Sequence, residues 1–146
     1  MLSILLNYFG RVHPLVVHFP IALLVLGAGV EGLRLVSQNP LLGKLNVFLL
    51  SAGAAGAVVA AVAGWVLAEH IHQRQDLRAF WFWHRWLGVA TALAALAACF
   101  AAVRWMDSPL ASRRWMRRGS VWLTAALLTV TAHLGALLVW GVDYFS

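Results

Sequence analysis

Six histidines and one cysteine are the residues of this chain whose chemistry goes beyond packing and charge. A neutral imidazole ligates iron, copper or zinc and exchanges protons near neutral pH. Cys99 stands alone inside an apolar run, so the sequence holds no disulfide pair, no CxxC and no CxxCH for covalent haem attachment, and Cys99 reads as a small core residue. The histidines fall at His13 and His18, at His70 and His72, at His84 and at His133. What they can do together depends on the elements that carry them.

Composition decides the class of those elements. Of 146 residues, 62% are hydrophobic and 11% charged, far more apolar surface than a soluble domain of this size can bury. A membrane span needs roughly 20 apolar residues at about 1.5 Å rise each, so four spans with short connections use nearly the whole chain as one domain. The expected fold is an all-α integral membrane protein, an antiparallel four-helix bundle. Its spans run over residues of about 12–30, 41–68, 81–103 and 121–142. Met1 to Phe9 is apolar but lacks a small-residue cleavage site before Gly10 and Arg11, and reads as an interfacial lead-in, not a removed signal. Pro14 sits in the first turn of span one, and Glu31 and Arg34, three apart, pair at its far end. Asn39-Pro40 marks a turn, and Gly56, Ala60 and Gly64 form a smooth ridge on span two where a helix or a flat ligand lies closely. Trp81, Trp83 and Trp86 mark the headgroup boundary.

The formal charge of +6 does not point to nucleic acid, because the basic residues gather beside apolar runs. One face takes Arg34, Lys44, Arg104, Arg113, Arg114, Arg117 and Arg118; the other takes Arg11, Arg74, Arg78 and Arg85. The richer face is expected to be cytoplasmic, with the arginines from Arg113 to Arg118 in a loop as a topology signal. Both termini and all six histidines then lie on the outer side.

Depth separates the histidines. Counted at about 1.5 Å per residue from the boundary markers, His18 and His133 share a layer roughly 10 to 13 Å down, and His13 with His84 a shallower one roughly 3 to 5 Å down. Ionisable residues in hydrocarbon are costly and usually face the bundle interior for a functional reason, so His18 and His133 are the first choice for a site and His84 with His13 the second. A lone membrane histidine also serves simply to hydrogen-bond a neighbouring helix. No carboxylate or thiol shares the buried layer. Zinc wants three or four ligands, whereas a haem needs one or two axial histidines and an apolar pocket, which the ridge could supply. The expected cofactor is haem b, one or two per chain, with iron held by His18 and His133. His70 and His72 read as solvated loop residues beside Glu69 and Asp76, with metal handling as a third possibility.

The run His13-Pro14-Leu15-Val16-Val17-His18-Phe19-Pro20-Ile21-Ala22-Leu23 resembles the opening of a family of largely uncharacterised bacterial four-helix membrane proteins with an HP-x-x-VHFPIAL motif. Gly64-Trp65, His84-Arg85-Trp86-Leu87-Gly88, His133-Leu134-Gly135 and Gly141-Val142-Asp143-Tyr144 are similar to its later motifs. In part of that family the four-helix unit resembles a cytochrome b and is joined to c-type cytochrome domains. The resemblance therefore implies electron transfer in a bacterial inner membrane, with a c-type cytochrome or another electron-transfer subunit as a separate partner. Two positions depart from the pattern: Ala136 stands where the family usually has a second glycine, and Trp140 where it often has a histidine, which implies that one haem site is missing here. The competing expectation is a cofactor-free packing subunit of a respiratory or photosynthetic assembly.

Overall fold

A computed structural model describes residues 8–70 and 75–141. Four long helices fill it, and no strand occurs among the described residues: α1 (His13–Leu33), α2 (Pro40–His70), α3 (Arg78–Trp105) and α4 (Ala111–Trp140). All four are long and apolar enough to cross a membrane. Each helix packs against the next in sequence, and α1 also touches α4, which closes an up-down-up-down bundle.

Local chemistry sets the helix ends. Pro14 lies in the opening turn of α1, and Pro20, which has no N–H, accompanies a break at Val17 that divides α1 into His13–Val16 and His18–Leu33. Between α1 and α2 the Asn39 side chain accepts the Leu41 N–H at 3.0 Å, and Pro40 opens α2 with its fixed φ. A 3₁₀ turn, Gln75–Leu77, leads into α3. Helix α4 ends at Gly141, whose φ of 86° suits a residue without Cβ, and whose N–H returns to the Leu137 carbonyl at 2.9 Å.

The described helices are longer than the expected spans. The largest difference is α4, which starts at Ala111 instead of about Val121, so Arg113, Arg114, Arg117 and Arg118 are helical and do not form a loop. Arginine is a good helix former, and between Pro109 and Val121 only Gly119 weakens the run.

The core is built from small residues. Ala54, Ala57, Ala60, Ala63, Ala95, Ala98 and Ala102 are buried, while Phe48, Leu93, Phe100, Trp122 and Val139 face outward. A water-soluble bundle inverts that arrangement. In lipid, burying large side chains gains little and close backbone approach gains dispersion contacts, so small residues collect at the helix contacts.

The two helix pairs also repeat. The shift along the chain that carries Pro40, at the start of α2, to Ala111, at the start of α4, carries buried Leu24 to Ala95, Leu50 to Val121, Ala57 to Leu128 and Ala60 to Thr131. The bundle is therefore two similar helical hairpins side by side, pointing the same way. That internal repeat was not anticipated from the sequence, because the residue types at equivalent positions rarely match.

Candidate functional site

The same shift carries His13 to His84, and the bundle brings these two together. Their ring centroids are 6.3 Å apart with the planes at 77°. Each ring is held in one way. His13 Nδ1 lies 2.9 Å from the Ala60 carbonyl on α2, and His84 Nδ1 lies 3.0 Å from the Thr131 carbonyl on α4, 47 residues downstream in both cases. A carbonyl only accepts, so Nδ1 carries the proton in both rings and Nε2 presents its lone pair. Neither Nε2 makes a hydrogen bond.

Glycine makes that approach possible. One helical turn beyond each accepting carbonyl stands Gly64 or Gly135. A Cβ built on Gly64 would lie 2.7 Å from His13 Cε1, and one on Gly135 would lie 2.9 Å from His84 Cε1. Any side chain there would push the ring off the helix and away from its carbonyl. The Thr131 turn is tied down further: its hydroxyl donates to the Leu127 carbonyl at 2.8 Å and lies 3.1 Å from the hydroxyl of Thr91, which is bonded to the Leu87 carbonyl. Backbone carbonyl, ring and glycine thus form one unit, present once in each hairpin.

The first-choice pair from the sequence sits differently. The side chains of His18 and His133 are exposed on the outside of the bundle, and neither makes a hydrogen bond or ring contact with a described residue. His18 stands five residues after His13, about 140° around the helix at about 100° per residue, and the backbone at Val17 keeps helical dihedrals, so the two rings point to different sides. The His70 side chain and all of His72 lie outside the described residues, as do Asp143 and Tyr144. Among the described residues no group of three or more histidine, cysteine or carboxylate side chains is arranged to hold a metal ion.

Of the two occupants expected for the ridge on α2, a helix or a flat ligand, the structure shows a helix. Gly56 faces Phe19 and Pro20, Ala60 gives its carbonyl to His13, and Gly64 faces the His13 ring. Helix α1 therefore covers it. Trp65 and Trp86 meet edge to face at 5.7 Å beside the two histidines in sequence, and the Arg85 guanidinium lies 4.4 Å over the Trp65 ring. This gives the histidine end an aromatic and cationic rim.

At the opposite end lies a polar cluster that sequence reasoning found only in part. The expected Glu31–Arg34 pair is present at 3.2 Å. Glu31 is fully buried, however, and its carboxylate also takes a hydrogen bond at 2.6 Å from Asn46 on α2, an ion pair with Arg117 on α4, and an Arg118 Nε at 3.5 Å. Asn46 and Arg117 occupy equivalent places in the two hairpins. The signal in the sequence was an acid and an amide buried in apolar runs; the arginine partner was hidden by reading its segment as a loop.

No curated protein and no solved structure matches the chain. A family model does match, over residues 11–144, which takes in all four helices, both histidine and glycine units and the Glu31 cluster. The chain belongs to DUF2231, a family of predicted membrane proteins.

Proposed function

We propose that the chain is a small b-type cytochrome subunit in which His13 and His84 would hold the iron of one haem b. The observation that carries this reading is the pair of rings with both Nδ1 atoms tied to backbone carbonyls and both Nε2 atoms free, 6.3 Å apart between centroids. The 6.3 Å between ring centroids brings both imidazoles within reach of one metal ion. Hydrogen bonding of the outer nitrogen to a carbonyl is how metal-ligating histidines are oriented and made more basic. Two ligands suffice for haem and fall short of a zinc site.

Bound there, a haem would move one electron at a time at its iron. The chain's own part is to fix the rings and exclude water. The Ala60 and Thr131 carbonyls hold the tautomer, and Gly64 and Gly135 let the rings lie against α2 and α4. A cofactor-free packing subunit is the second reading, favoured because those same two hydrogen bonds already tie α1 to α2 and α3 to α4. A dithionite-reduced minus oxidised spectrum of protein made in a haem-replete host decides between them. A Soret band with a sharp low-spin α band is expected; its absence leaves the packing reading.

The arginine asymmetry supports an orientation with the histidine end outside, in a bacterial inner membrane, and with an electron-transfer partner such as a c-type cytochrome docking at that face. An alkaline phosphatase fused after Ser146 is expected to be active and a green fluorescent protein fused there dark. The reverse pattern would place the histidines on the cytoplasmic side.

A further inference from the structure

We infer that the Glu31 end of the bundle binds a phosphate group, presented by an anionic lipid headgroup or taken from solution, between Arg34 on α1 and Arg118 on α4. The inference is independent of any haem. Three guanidiniums, of Arg34, Arg117 and Arg118, converge on one carboxylate, so Glu31 balances one positive charge and leaves two. Arg117 is only 2% exposed and its buried Nε has no hydrogen-bond acceptor, while Arg118 Nε lies 3.5 Å from Glu31 Oε1 in an ion pair without a formed hydrogen bond. Uncompensated cations away from water are costly and call for a second anion.

The cluster also reaches the surface of the bundle. The side chains of Arg34 and Arg118 are 15% and 20% exposed, enough to open the cluster to the boundary. Arg118 also lies 5.3 Å from the ring of Trp115, which is 66% exposed and placed as a boundary anchor is. Guanidinium pairs bind phosphate through forked hydrogen bonds, and the cluster lies near the end of α1, where a spanning helix meets the headgroups.

The test is the melting temperature of the whole chain in nanodiscs. Discs of phosphatidylcholine with phosphatidylglycerol are expected to raise it by roughly 5 °C over phosphatidylcholine alone. The increment should vanish in Arg118→Gln and in Arg34→Gln and persist in Arg113→Gln, which changes an exposed arginine outside the cluster. If millimolar inorganic phosphate in pure phosphatidylcholine discs gives the same arginine-dependent rise, the site takes its phosphate from solution. No rise with either probe overturns the inference. So does a rise that Arg113→Gln reduces as much as Arg118→Gln, because that marks diffuse attraction of a basic surface.

Discussion

Replacing His84 or His13 by Ala is expected to abolish the low-spin haem spectrum, while His18→Ala and His133→Ala leave it unchanged. The two inner rings lie 6.3 Å apart between centroids, and each is held by a carbonyl on the partner helix of its own hairpin. Removing either leaves at most one axial ligand. The outer pair is exposed and makes no bond that fixes its rings, so its loss removes surface and no ligand. Gly135→Ala provides a subtler version. Its Cβ would meet His84 Cε1 at 2.9 Å, which displaces the ring from the Thr131 carbonyl. Loss of such an orienting contact weakens metal-site affinity by roughly tenfold or more, so haem should be retained poorly on dilution while the helices stay folded. Pyridine haemochrome content of each purified variant gives the measurement. A spectrum that survives His13→Ala and His84→Ala but disappears in His18→Ala or His133→Ala would return the site to the deeper pair.

The membrane bundle was legible in the sequence because it rests on run length and composition, which alone determine whether a helix can cross lipid. The approximate placement of the first turn followed from Asn39-Pro40. The site was half legible. Depth by residue count put His13 and His84 in one layer, since they stand near the starts of α1 and α3, and the structure sets the two rings side by side. Depth says nothing about azimuth, however, and azimuth separates the facing pair from the exposed one. It depends on the turn of each helix and on which helix faces which. One further clue went unread: His13 to Gly64 and His84 to Gly135 have equal spacing, which marks a repeated histidine and glycine unit even where neighbouring residues differ. The Glu31 cluster was hidden for another reason. Positive-inside counting treats arginines as loop charges, and Arg117 turned out to be a buried helical residue whose partner is 86 positions away.

That partner makes Glu31→Gln the substitution with the largest expected cost to stability. The carboxylate is fully buried and takes Asn46, Arg34 and Arg117 on a single oxygen, with Arg118 near the other, so it joins α1, α2 and α4 at one point. Glutamine keeps the volume and one acceptor but removes the only negative charge holding three cations. Breaking a buried ion pair from one side costs about 3–5 kcal/mol, mostly because the surviving charge is stranded. For a domain of this size that corresponds to a fall of roughly 10 °C in melting temperature. The seam that should loosen first is the one between α1 and α4, the weakest contact between neighbouring long helices, which the Glu31–Arg117 pair links by charge. Adding Arg117→Met to Glu31→Gln removes the most deeply stranded cation and should recover part of the loss, since replacing both members of a buried pair by apolar groups is far milder than removing one. Thermal unfolding in phosphatidylcholine nanodiscs, with hydrogen exchange to locate the weakened helix, measures both effects. If Glu31→Gln melts within about 2 °C of wild type, the arginines find water once the charge is gone, and the cluster contributes to orientation in the membrane instead of to the cohesion of the bundle.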